Sequence, residues 1–521
     1  MFVCMRWLVI GGLRPRIHIM LAQLLLSNTA ALSPLGGMRA AVVGGGPAGL
    51  LLAHRLLGDG ATVDIFESRV DPRVDGAPPE GRAYALGLGL RGRTAIRSVD
   101  EQLWQVVAQQ GFGSDRFTLH LPFGAFDLRK PDETRPDQEP SVLIYQTDLC
   151  SALLSELEAR YGETGRLSVT HGTRVASIDV AAGSIGVAGV SGEELQQAHV
   201  AYDLVAGCDG VQSAVRAAME AAAPSLGVET ATLPGSLKVL RLPRMPAALA
   251  PDAVHLVPGK GGLVAFLEPT AHGVCALISW RGPVAVDSIA DAGAGPEGDQ
   301  ATVDPAALRD AAEAQAMLVE AFPTLRDVLE QANDEAAGTA GAQFVAQRVS
   351  TASTVRCASY HLAPHCVLLG DAAHSTGGAS GQGCNSALQD AVVLADALVA
   401  ESSASTSDGD GGDGRCRVDV PAALAAYSAA RVPEGHALLD LSVGPRRERG
   451  PLARLRFGLS SVTDSLLSKL GLGEPPLQTL LTTSLKPFAQ IRREREGIFG
   501  PFPTDAEFAH AIEKAVGRVG K

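Results

Sequence analysis

The sequence predicts an α/β protein in which a doubly wound domain contains an inserted, mainly antiparallel β-sheet and is followed by a helical C-terminal region. First, the apolar run Ala40–Val43 leads through a glycine-rich turn into a helical stretch and then a second strand at Ala61–Phe66. Second, short β-rich segments alternate with Pro and Gly turns between Ser236 and Trp280. Third, the residues after about position 436 have a mostly helical pattern.

These patterns divide the 521 residues into four parts. Residues 38–225 and 350–435 are expected to form one discontinuous α/β domain, because an apolar strand at Cys366–Leu369 resumes the first sheet. Residues 226–349 are the inserted domain, and residues 436–521 are the helical C-terminal region. The clearest strands and the longest helical stretch of the insert are predicted at Val254–Val257, Gly262–Leu267, Gly273–Trp280 and Ala306–Gln331.

Residues 1–37 differ in composition from the rest of the chain. They include Arg6, Arg14 and Arg16 but no acidic residue. A basic, apolar and acid-poor N-terminal segment is typical of organelle-targeting peptides, which would direct the protein to a plastid or a mitochondrion. The alternative is that translation starts at Met38, which runs directly into the first strand, and that the protein is cytoplasmic. The sequence leaves both interpretations open.

Composition excludes several classes of protein. The chain is 46% hydrophobic and 19% charged, as in ordinary globular enzymes, and its net charge of -13 argues against nucleic acid as a partner. The eight cysteines have no CxxC or zinc-ligand spacing, which predicts reduced thiols and no metal site. No apolar run reaches the roughly 18 residues that a transmembrane helix needs. Leu452–Leu472 is amphipathic, so it either packs on the protein body or makes weak membrane contact.

The glycine-rich turn after the first strand has the spacing of a dinucleotide-binding motif. Gly44 allows the tight turn, Gly46 lets the backbone approach a pyrophosphate, and Gly49 lets helix and strand pack closely. Ala48 lies in the same turn, where the helix N-terminus offers N–H groups to the phosphates. Glu67 ends the second strand, where an acid would accept hydrogen bonds from ribose hydroxyls. The combination predicts a Rossmann-type unit that binds an adenosine dinucleotide rather than a purely structural turn.

A second turn follows the strand predicted at Asp203–Ala206. Asp209 and the glycine after it form this turn, and Ser213 and Arg216 are placed to brace it. In isolation, an ordinary β-turn followed by a capped helix is the favoured explanation of the segment.

A third glycine-rich region follows the strand at Cys366–Leu369. Asp371 could accept a hydrogen bond from a ribityl hydroxyl, and a helix that begins near Gly383 could direct its N–H groups at a flavin or its pyrophosphate. His374 could act as a base. A hydrogen-bonding role next to the phosphate-binding turn is favoured, because His374 does not lie on a strand expected to contact a substrate.

The three motifs in this order, GxGxxG, then DG-x-x-S-x-V-R, then GDAAH with GQG-x-N, resemble the FAD-dependent aromatic hydroxylases, which have the p-hydroxybenzoate hydroxylase fold. The likeness extends from about Met38 to Phe502. It implies that the insert is the substrate domain, that the glycine turn and Glu67 bind the ADP half of FAD, and that Asp371 binds the ribityl chain. It further places Cys384 and Asn385 at the flavin ring. The complete implied set is Gly44, Gly46, Ala48, Gly49, Glu67, Arg116, Leu149, Asp209, Asp371, Gly383, Cys384 and Asn385.

Within that family the chain resembles the kynurenine 3-monooxygenases, but the substrate side differs. Arg82 matches the family's substrate-anchoring arginine. The family's asparagine falls at Pro445 and its C-terminal tyrosine at about Thr483, and no tyrosine lies between Tyr84 and Tyr145. We therefore expect an altered pocket. The stretches on which the likeness rests are Gly81–Arg82, Leu90–Arg93, Cys357–His361, Pro433–Ser442 and Gln490–Arg493.

The resemblance implies a monooxygenase that uses NAD(P)H as co-substrate. Reduced FAD would react with O2 to give a C4a-hydroperoxide that transfers one oxygen atom to a small aromatic substrate. Two other functions remain open on the same fold: a flavin-dependent reductase or dehydrogenase, and a flavin-binding protein without turnover. A halogenase is disfavoured because the W-x-W-x-I-P signature is absent from the sequence.

Overall fold

The computed structural model describes residues 33–74, 84–131, 139–189, 200–285, 302–331, 338–378, 380–403, 417–445 and 475–517, with a few positions between 450 and 464. The strands are β1 (Arg39–Val43), β2 (Thr62–Phe66), β3 (Ala85–Leu88), β4 (Phe112–Ser114), β5 (Arg116–Leu121), β6 (Gly124–Arg129), β7 (Ser141–Tyr145), β8 (Leu167–Thr170), β9 (Thr173–Asp179), β10 (Ser184–Gly189), β11 (Val200–Ala201), β12 (Leu204–Gly207), β13 (Glu229–Thr232), β14 (Ser236–Leu242), β15 (Ala253–Pro258), β16 (Val264–Thr270), β17 (Gly273–Trp280), β18 (Val284–Ala285), β19 (Thr302–Val303), β20 (Ser353–Arg356), β21 (His361–Leu362), β22 (Cys366–Leu368), β23 (Ser402–Ser403) and β24 (Arg417–Val418).

The helices are α1 (Pro47–Gly58), α2 (Leu90–Arg97), α3 (Glu101–Gln109), α4 (Gln146–Tyr161), α5 (Ala214–Ala222), α6 (Ala311–Ala321), α7 (Arg326–Leu329), α8 (Ala340–Ala346), α9 (Asp371–His374), α10 (Gly383–Ala400), α11 (Val420–Val443), α12 (Leu477–Thr483), α13 (Phe488–Arg493), α14 (Glu496–Phe499) and α15 (Asp505–Val516).

The first sheet confirms the predicted doubly wound domain. Its strand order is β21-β22-β12-β1-β2-β8, and all neighbours are parallel except β21 and β22. β1 lies in the middle of this order, and its last four residues are buried because both faces of the strand are covered. β22, which follows the second sheet in the sequence, pairs in parallel with β12 of the first sheet. The carboxyl ends of β1 and β12 therefore lie side by side, which is where such sheets bind ligands.

The second sheet has the order β14-β17-β16-β15-β5-β6. Its strands pair antiparallel apart from the parallel pair β15–β5, in agreement with the predicted mainly antiparallel insert. Residues 116–129 supply β5 and β6, so the sheet includes chain that the sequence analysis assigned to the first domain. One face packs against α6 and α8 through a cluster that includes Leu240, Leu267, Ala276 and Phe344.

A three-stranded sheet, β3-β7-β4, lies between the two large sheets. Ala85 and Tyr145 of this sheet pack against Val239 and Cys275 of the second sheet. The backbone N–H of Ala85 also donates a hydrogen bond to the thiol sulfur of Cys275 at 3.3 Å. This contact shows that the face of the second sheet with Val239 and Cys275 is turned toward the first domain.

The packed domain begins upstream of Met38, where the sequence analysis placed its first residue. Leu35 is fully buried in the main core, and its backbone N–H donates to the carbonyl oxygen of Asp59 at 2.9 Å. A side chain at Gly60 would press against Ser33. Residues 33–37 are therefore part of the α/β domain, and a chain that started at Met38 would lack the Leu35 side chain. Residues 1–32 lie outside the described residues.

The C-terminal helices pack on the first domain. α11 contacts α10, α13 and α15. The carboxylate of Glu434 accepts hydrogen bonds from the backbone N–H groups of Phe488 and Ala489 at 2.7 and 3.1 Å, which satisfies the first turn of α13. Most of Leu452–Leu472 lies outside the described residues. None of the described helices is long and apolar enough to cross a membrane.

Candidate functional site

The turn between β1 and α1 packs so tightly that two of its residues must be glycine. Gly44 has a φ of +108°, and a Cβ atom there would overlap the carbonyl oxygen of Cys208 at the end of β12. A Cβ atom at Gly49 would overlap the carbonyl oxygen of Gly44. These contacts join the first motif to the second and hold α1 directly against the carboxyl end of the sheet.

Gly46 differs from its two neighbours because the space beside it is open. It is the N-cap of α1, no side chain caps this helix end, and a Cβ atom would meet no atom within 4 Å. The N–H groups at a helix N-terminus, together with the helix dipole, favour an anionic group. The open space at Gly46 therefore fits the pyrophosphate of a dinucleotide, as the sequence predicted.

Glu67 lies at the end of β2 and is only 9% exposed. One carboxylate oxygen accepts the Gly45 N–H at 2.7 Å, and the other accepts the Arg69 N–H at 2.8 Å. Glu67 therefore connects the glycine turn to β2. This structural role is additional to the ribose contact predicted from the sequence.

Replacing Glu67 with alanine is expected to weaken FAD binding by about 1.5–3 kcal/mol, because the variant loses a charged acceptor and the bond that holds Gly45. Glu67→Gln, which keeps the shape and a neutral acceptor, should lose less. A fluorescence titration of the apoprotein with FAD measures both. An unchanged dissociation constant in Glu67→Ala would show that another group binds the ribose.

Asp209 of the second motif has one satisfied and one unsatisfied oxygen. Its Oδ2 accepts the N–H groups of Ala214 and Val215 at 2.6 and 3.4 Å, whereas its buried Oδ1 has no partner among the described residues. Burial raises the pKa of Asp209 above its usual range, although the hydrogen bonds oppose this. Because an unsatisfied buried acceptor is costly, this oxygen fits a ligand hydroxyl beside the Gly44 turn.

The residues predicted to brace the second turn do so. The Ser213 hydroxyl accepts the Arg216 N–H at 3.0 Å and caps α5. The Arg216 guanidinium donates to the carbonyl oxygens of Val211 and Ala372 at 2.5 and 2.8 Å. Arg216 therefore connects the second motif to the third.

The third motif lies against the first. Gly370 has a φ of +57°, and a Cβ atom there would lie 2.8 Å from the Cβ of Ala387 and 3.8 Å from that of Ala48. A Cβ atom at Gly383 would lie 3.8 Å from the Oδ1 of Asp371. The structure thus brings Ala48, Asp371 and Gly383 to one region, where the N-termini of α1 and α10 approach the same turn.

A buried charged network supports this region. Asp390 is fully buried on α10, and its carboxylate accepts the Gly370 N–H at 2.8 Å, lies 2.6 Å from His374 Nε2 and accepts the Arg431 Nε–H at 2.6 Å. Burial acts to raise the pKa of Asp390, but His374 and Arg431 outweigh it and hold the pKa below its usual range. His374 has the hydrogen-bonding role that the sequence favoured. Asp390 and Arg431 are functional residues that were not predicted from the sequence, although an acid within an apolar helical stretch signals a buried partner.

Asn385 is fully buried, and its side chain contacts β3 and the start of α2, while its place at the flavin ring stays a prediction. Its Oδ1 accepts the N–H groups of Gly89 and Gly92 at 3.0 and 3.2 Å, and its amide donates to the Gly87 carbonyl oxygen at 2.8 Å. The side chain is thus engaged in holding α2 against α10. Cys384 beside it is half-buried, and burial raises the pKa of its thiol, so it is present as the neutral thiol.

Two predicted cofactor contacts, Leu149 on α4 and Arg116 on β5, lie outside the three glycine-rich motifs. The side chain of Leu149 is fully buried in the main core, which leaves only its backbone for a ligand. Arg116 lies on β5 of the second sheet, and its guanidinium is 3.4 Å from Asp252, with both side chains largely exposed. Its role at the cofactor stays a prediction. Arg82, the predicted substrate anchor, lies outside the described residues.

The face of the second sheet that is turned toward β3 and β7 is mainly apolar. Phe117, Leu256, Phe266 and Leu277 are on this face and are only partly buried. The rings of Phe117 and Phe266 are in edge-to-face contact at 5.7 Å between centroids. An apolar, partly open wall beside the motif region is suited to the flat body of an aromatic ligand.

A small cavity of about 40 Å³ lies near the N-terminus of α2. A cavity of this size is much smaller than the pockets that hold aromatic substrates. Its lining includes Thr483, which stands where the family has a tyrosine. The full lining is Leu90, Arg93, Asp115, Glu139, Ser141, Thr482 and Thr483.

Comparison with known proteins agrees with this geometry. The family model described as "FAD binding domain" matches residues 38–409. The chain is 32% identical over 440 residues to a kynurenine 3-monooxygenase of Salinispora arenicola, covering 83% of this chain and 85% of that protein. It is 27% identical to one of Xanthomonas axonopodis pv. citri, covering 79% of each.

Solved structures share the fold. The tetrameric form of 2-methyl-3-hydroxypyridine-5-carboxylic acid oxygenase matches with a TM-score of 0.54 at 19% identity, covering 81% of this chain and 92% of that one. Klebsiella pneumoniae HpxO, complexed with FAD and uric acid, matches with a TM-score of 0.51 at 19% identity, covering 92% of this chain and 97% of that one. The family match and the level of identity lead to one conclusion: the chain belongs to the FAD-dependent monooxygenase family, and its cofactor is FAD.

Proposed function

We propose that the protein is an NAD(P)H-dependent monooxygenase that introduces one oxygen atom of O2 into a small aromatic substrate. The observation that supports the proposal best is the convergence of Ala48, Asp371 and Gly383 beside the open N-terminus at Gly46. Bound FAD would supply the redox chemistry. The protein's residues would bind its phosphates and hydroxyls, while the apolar sheet face would orient the substrate and limit access of water.

The proposal is tested by oxidation of NADPH and NADH in air by the FAD-loaded protein. We expect NAD(P)H consumption, with peroxide released when no substrate is present and less peroxide when a true substrate is added. A reductase would consume NAD(P)H with an organic acceptor without needing O2. A flavin-binding protein without turnover would show no consumption, which would contradict the proposal.

L-kynurenine is expected to be a poor substrate. The family's asparagine and tyrosine positions hold Pro445 and Thr483, and each lost partner of a substrate carboxylate costs roughly 1–3 kcal/mol. Arg82 would remain as an anchor for an anionic group. We expect kcat/KM for L-kynurenine to lie well below about 10⁴ M⁻¹s⁻¹, the lower end of the ordinary range for a true substrate. Steady-state kinetics measures it, and a higher value would show that the pocket is not altered.

A further inference from the structure

Glu268 is a buried acid on the apolar face of the second sheet. Along β16, Ala265 and Leu267 belong to the cluster that packs on α6 and α8. Because side chains alternate along a strand, Glu268 lies on the opposite face together with Phe266. The side chain of Glu268 is only 7% exposed.

The strand register places Glu268 in a row that faces the first domain. Glu268 is in register with Cys275 on β17, and Cys275 is in register with Arg241 on β14. The Cys275 sulfur accepts the Ala85 N–H, and the Arg241 guanidinium lies 4.6 Å from the centre of the Tyr145 ring. The row therefore runs beside β3 and β7, on the side of the sheet that faces the cofactor motifs.

The row is also close to the N-terminus of α10. The N–H of Ala85 contacts Cys275, and the carbonyl of Gly87, two residues further along β3, accepts from Asn385. Two residues of a strand span roughly 7 Å. Glu268 pairs with Cys275, so β3 links the row that contains Glu268 to the N-terminus of α10.

The carboxyl group of Glu268 lacks the partners that a buried acid normally has. No hydrogen bond or ion pair to it occurs within the described part of the chain, and burial alone raises its pKa to about 8. Among the described residues, the titratable groups that pack on the same face include the Cys275 thiol, the phenols of Tyr145 and Tyr84 and the Arg241 guanidinium. Burial raises the pKa values of the Cys275 thiol and the Tyr145 phenol, so neither is negatively charged near neutral pH. A buried polar group without a partner is destabilising unless a ligand supplies one.

We propose that Glu268 determines specificity by binding a basic amine of the substrate, whose aromatic body would lie on Phe266 and Leu277. This inference rests on the proposed function, because it assigns a substrate class to the same site. At neutral pH the amine arrives protonated and Glu268 is protonated as well. Binding therefore releases the Glu268 proton to solvent and leaves an ammonium–carboxylate pair, whereas a neutral hydroxyl ligand would release no proton.

Calorimetric titration of the FAD-loaded full chain tests the proposal without any need for turnover. Phenethylamine and 2-phenylethanol form one matched probe pair, and L-kynurenine and its deaminated acid form a second. We expect the amine to bind more tightly than its neutral partner in at least one pair. Its binding should release about one proton near pH 7. Titrations in two buffers that differ in ionisation enthalpy measure this proton release. Glu268→Gln should weaken amine binding at least tenfold and abolish proton release, while the exposed-site control Glu313→Gln should behave as the wild type.

Three results would overturn the proposal: no amine preference in either pair, a preference that survives in Glu268→Gln, or amine binding without proton release. Failure of NAD(P)H oxidation with a normal amine preference would instead overturn only the proposed monooxygenase activity, since the calorimetry uses neither NAD(P)H nor O2.

The ligand-free protein provides a second test, through the pH dependence of its stability. Because burial raises the pKa of Glu268, the folded state binds more protons than the unfolded state between the ordinary pKa of 4.5 and about 8, and the wild type loses stability as pH rises through that range. Glu268→Gln does not titrate. The Tm of the variant relative to wild type should therefore increase from pH 5 to pH 8. A constant difference would mean that Glu268 is already ionised, and would contradict the proposal.

Discussion

Replacing Gly46 with valine is expected to give a folded protein that binds FAD far more weakly. A Cβ atom at Gly46 meets no protein atom within 4 Å, so the new side chain should not disturb the packing of β1 and α1. It would enter the space at the helix N-terminus where the pyrophosphate is expected. We expect FAD affinity to fall by roughly 100-fold or more, equivalent to about 3 kcal/mol. The flavin absorbance of the purified variant and its affinity for added FAD measure the effect.

Two further glycine variants serve as controls for the position of the substitution. Gly162 follows α4, and a Cβ atom there also meets nothing within 4 Å, so Gly162→Val should retain both fold and flavin. Gly49→Val should fail to fold normally, because its Cβ atom would overlap the Gly44 carbonyl oxygen. Gly46→Val with a full complement of FAD would show that the pyrophosphate is bound elsewhere.

Local signals in the sequence were sufficient to predict the first two parallel strands and the turn between the first strand and its helix. The strand predicted at Ala40–Val43 is Arg39–Val43 in the structure, and the strand at Ala61–Phe66 is Thr62–Phe66. The glycine spacing predicted the turn, because the backbone conformation at Gly44 and the close approach at Gly49 exclude other residues. In the insert, β17 has the predicted limits Gly273–Trp280, since alternating apolar residues and flanking turns define a strand locally.

Contacts between distant segments could not be predicted in this way. β5 joins the second sheet by parallel pairing of Arg116 with Ala253, and neither strand contains a signal for the other. Leu35 joins the core through contacts with the loop after α1, although it lies in a segment of unusual composition. The motif that contains Asn385 gave no signal of its side-chain hydrogen bonds to residues almost 300 positions earlier.

Glu268 illustrates the same limit on the substrate side. An isolated acid in a β-rich stretch reads as a surface residue, because acids are rarely buried without a partner. Only the strand register shows that it shares a face with Phe266 and Leu277, and only the packing of Ala85 on Cys275 shows which way that face is turned.

Replacing Asp390 with alanine is expected to destabilise the protein by about 3–5 kcal/mol and to abolish FAD retention. The variant leaves the buried guanidinium of Arg431 without its carboxylate, and it removes the acceptor for His374 and for the Gly370 N–H. Gly370 packs between Ala48 of α1 and Ala387 of α10. Its displacement should therefore disturb the N-terminal turns of both helices at the cofactor site. Chemical denaturation of the FAD-free protein measures the loss of stability separately from the loss of the ligand.

Asp396 provides a matched control on the same helix. It forms an ion pair with Arg55 at 2.6 Å, as Asp390 does with Arg431, but its side chain is 60% exposed whereas that of Asp390 is fully buried. Solvent screens the exposed pair, so Asp396→Ala should cost no more than about 1 kcal/mol and leave FAD binding unchanged. Asp390→Asn should lie between the two, because an amide oxygen can still accept the Gly370 N–H while the charge that balances Arg431 is lost. Equal destabilisation by Asp390→Ala and Asp396→Ala would show that burial of the His374–Asp390–Arg431 network contributes nothing to the stability of the cofactor site.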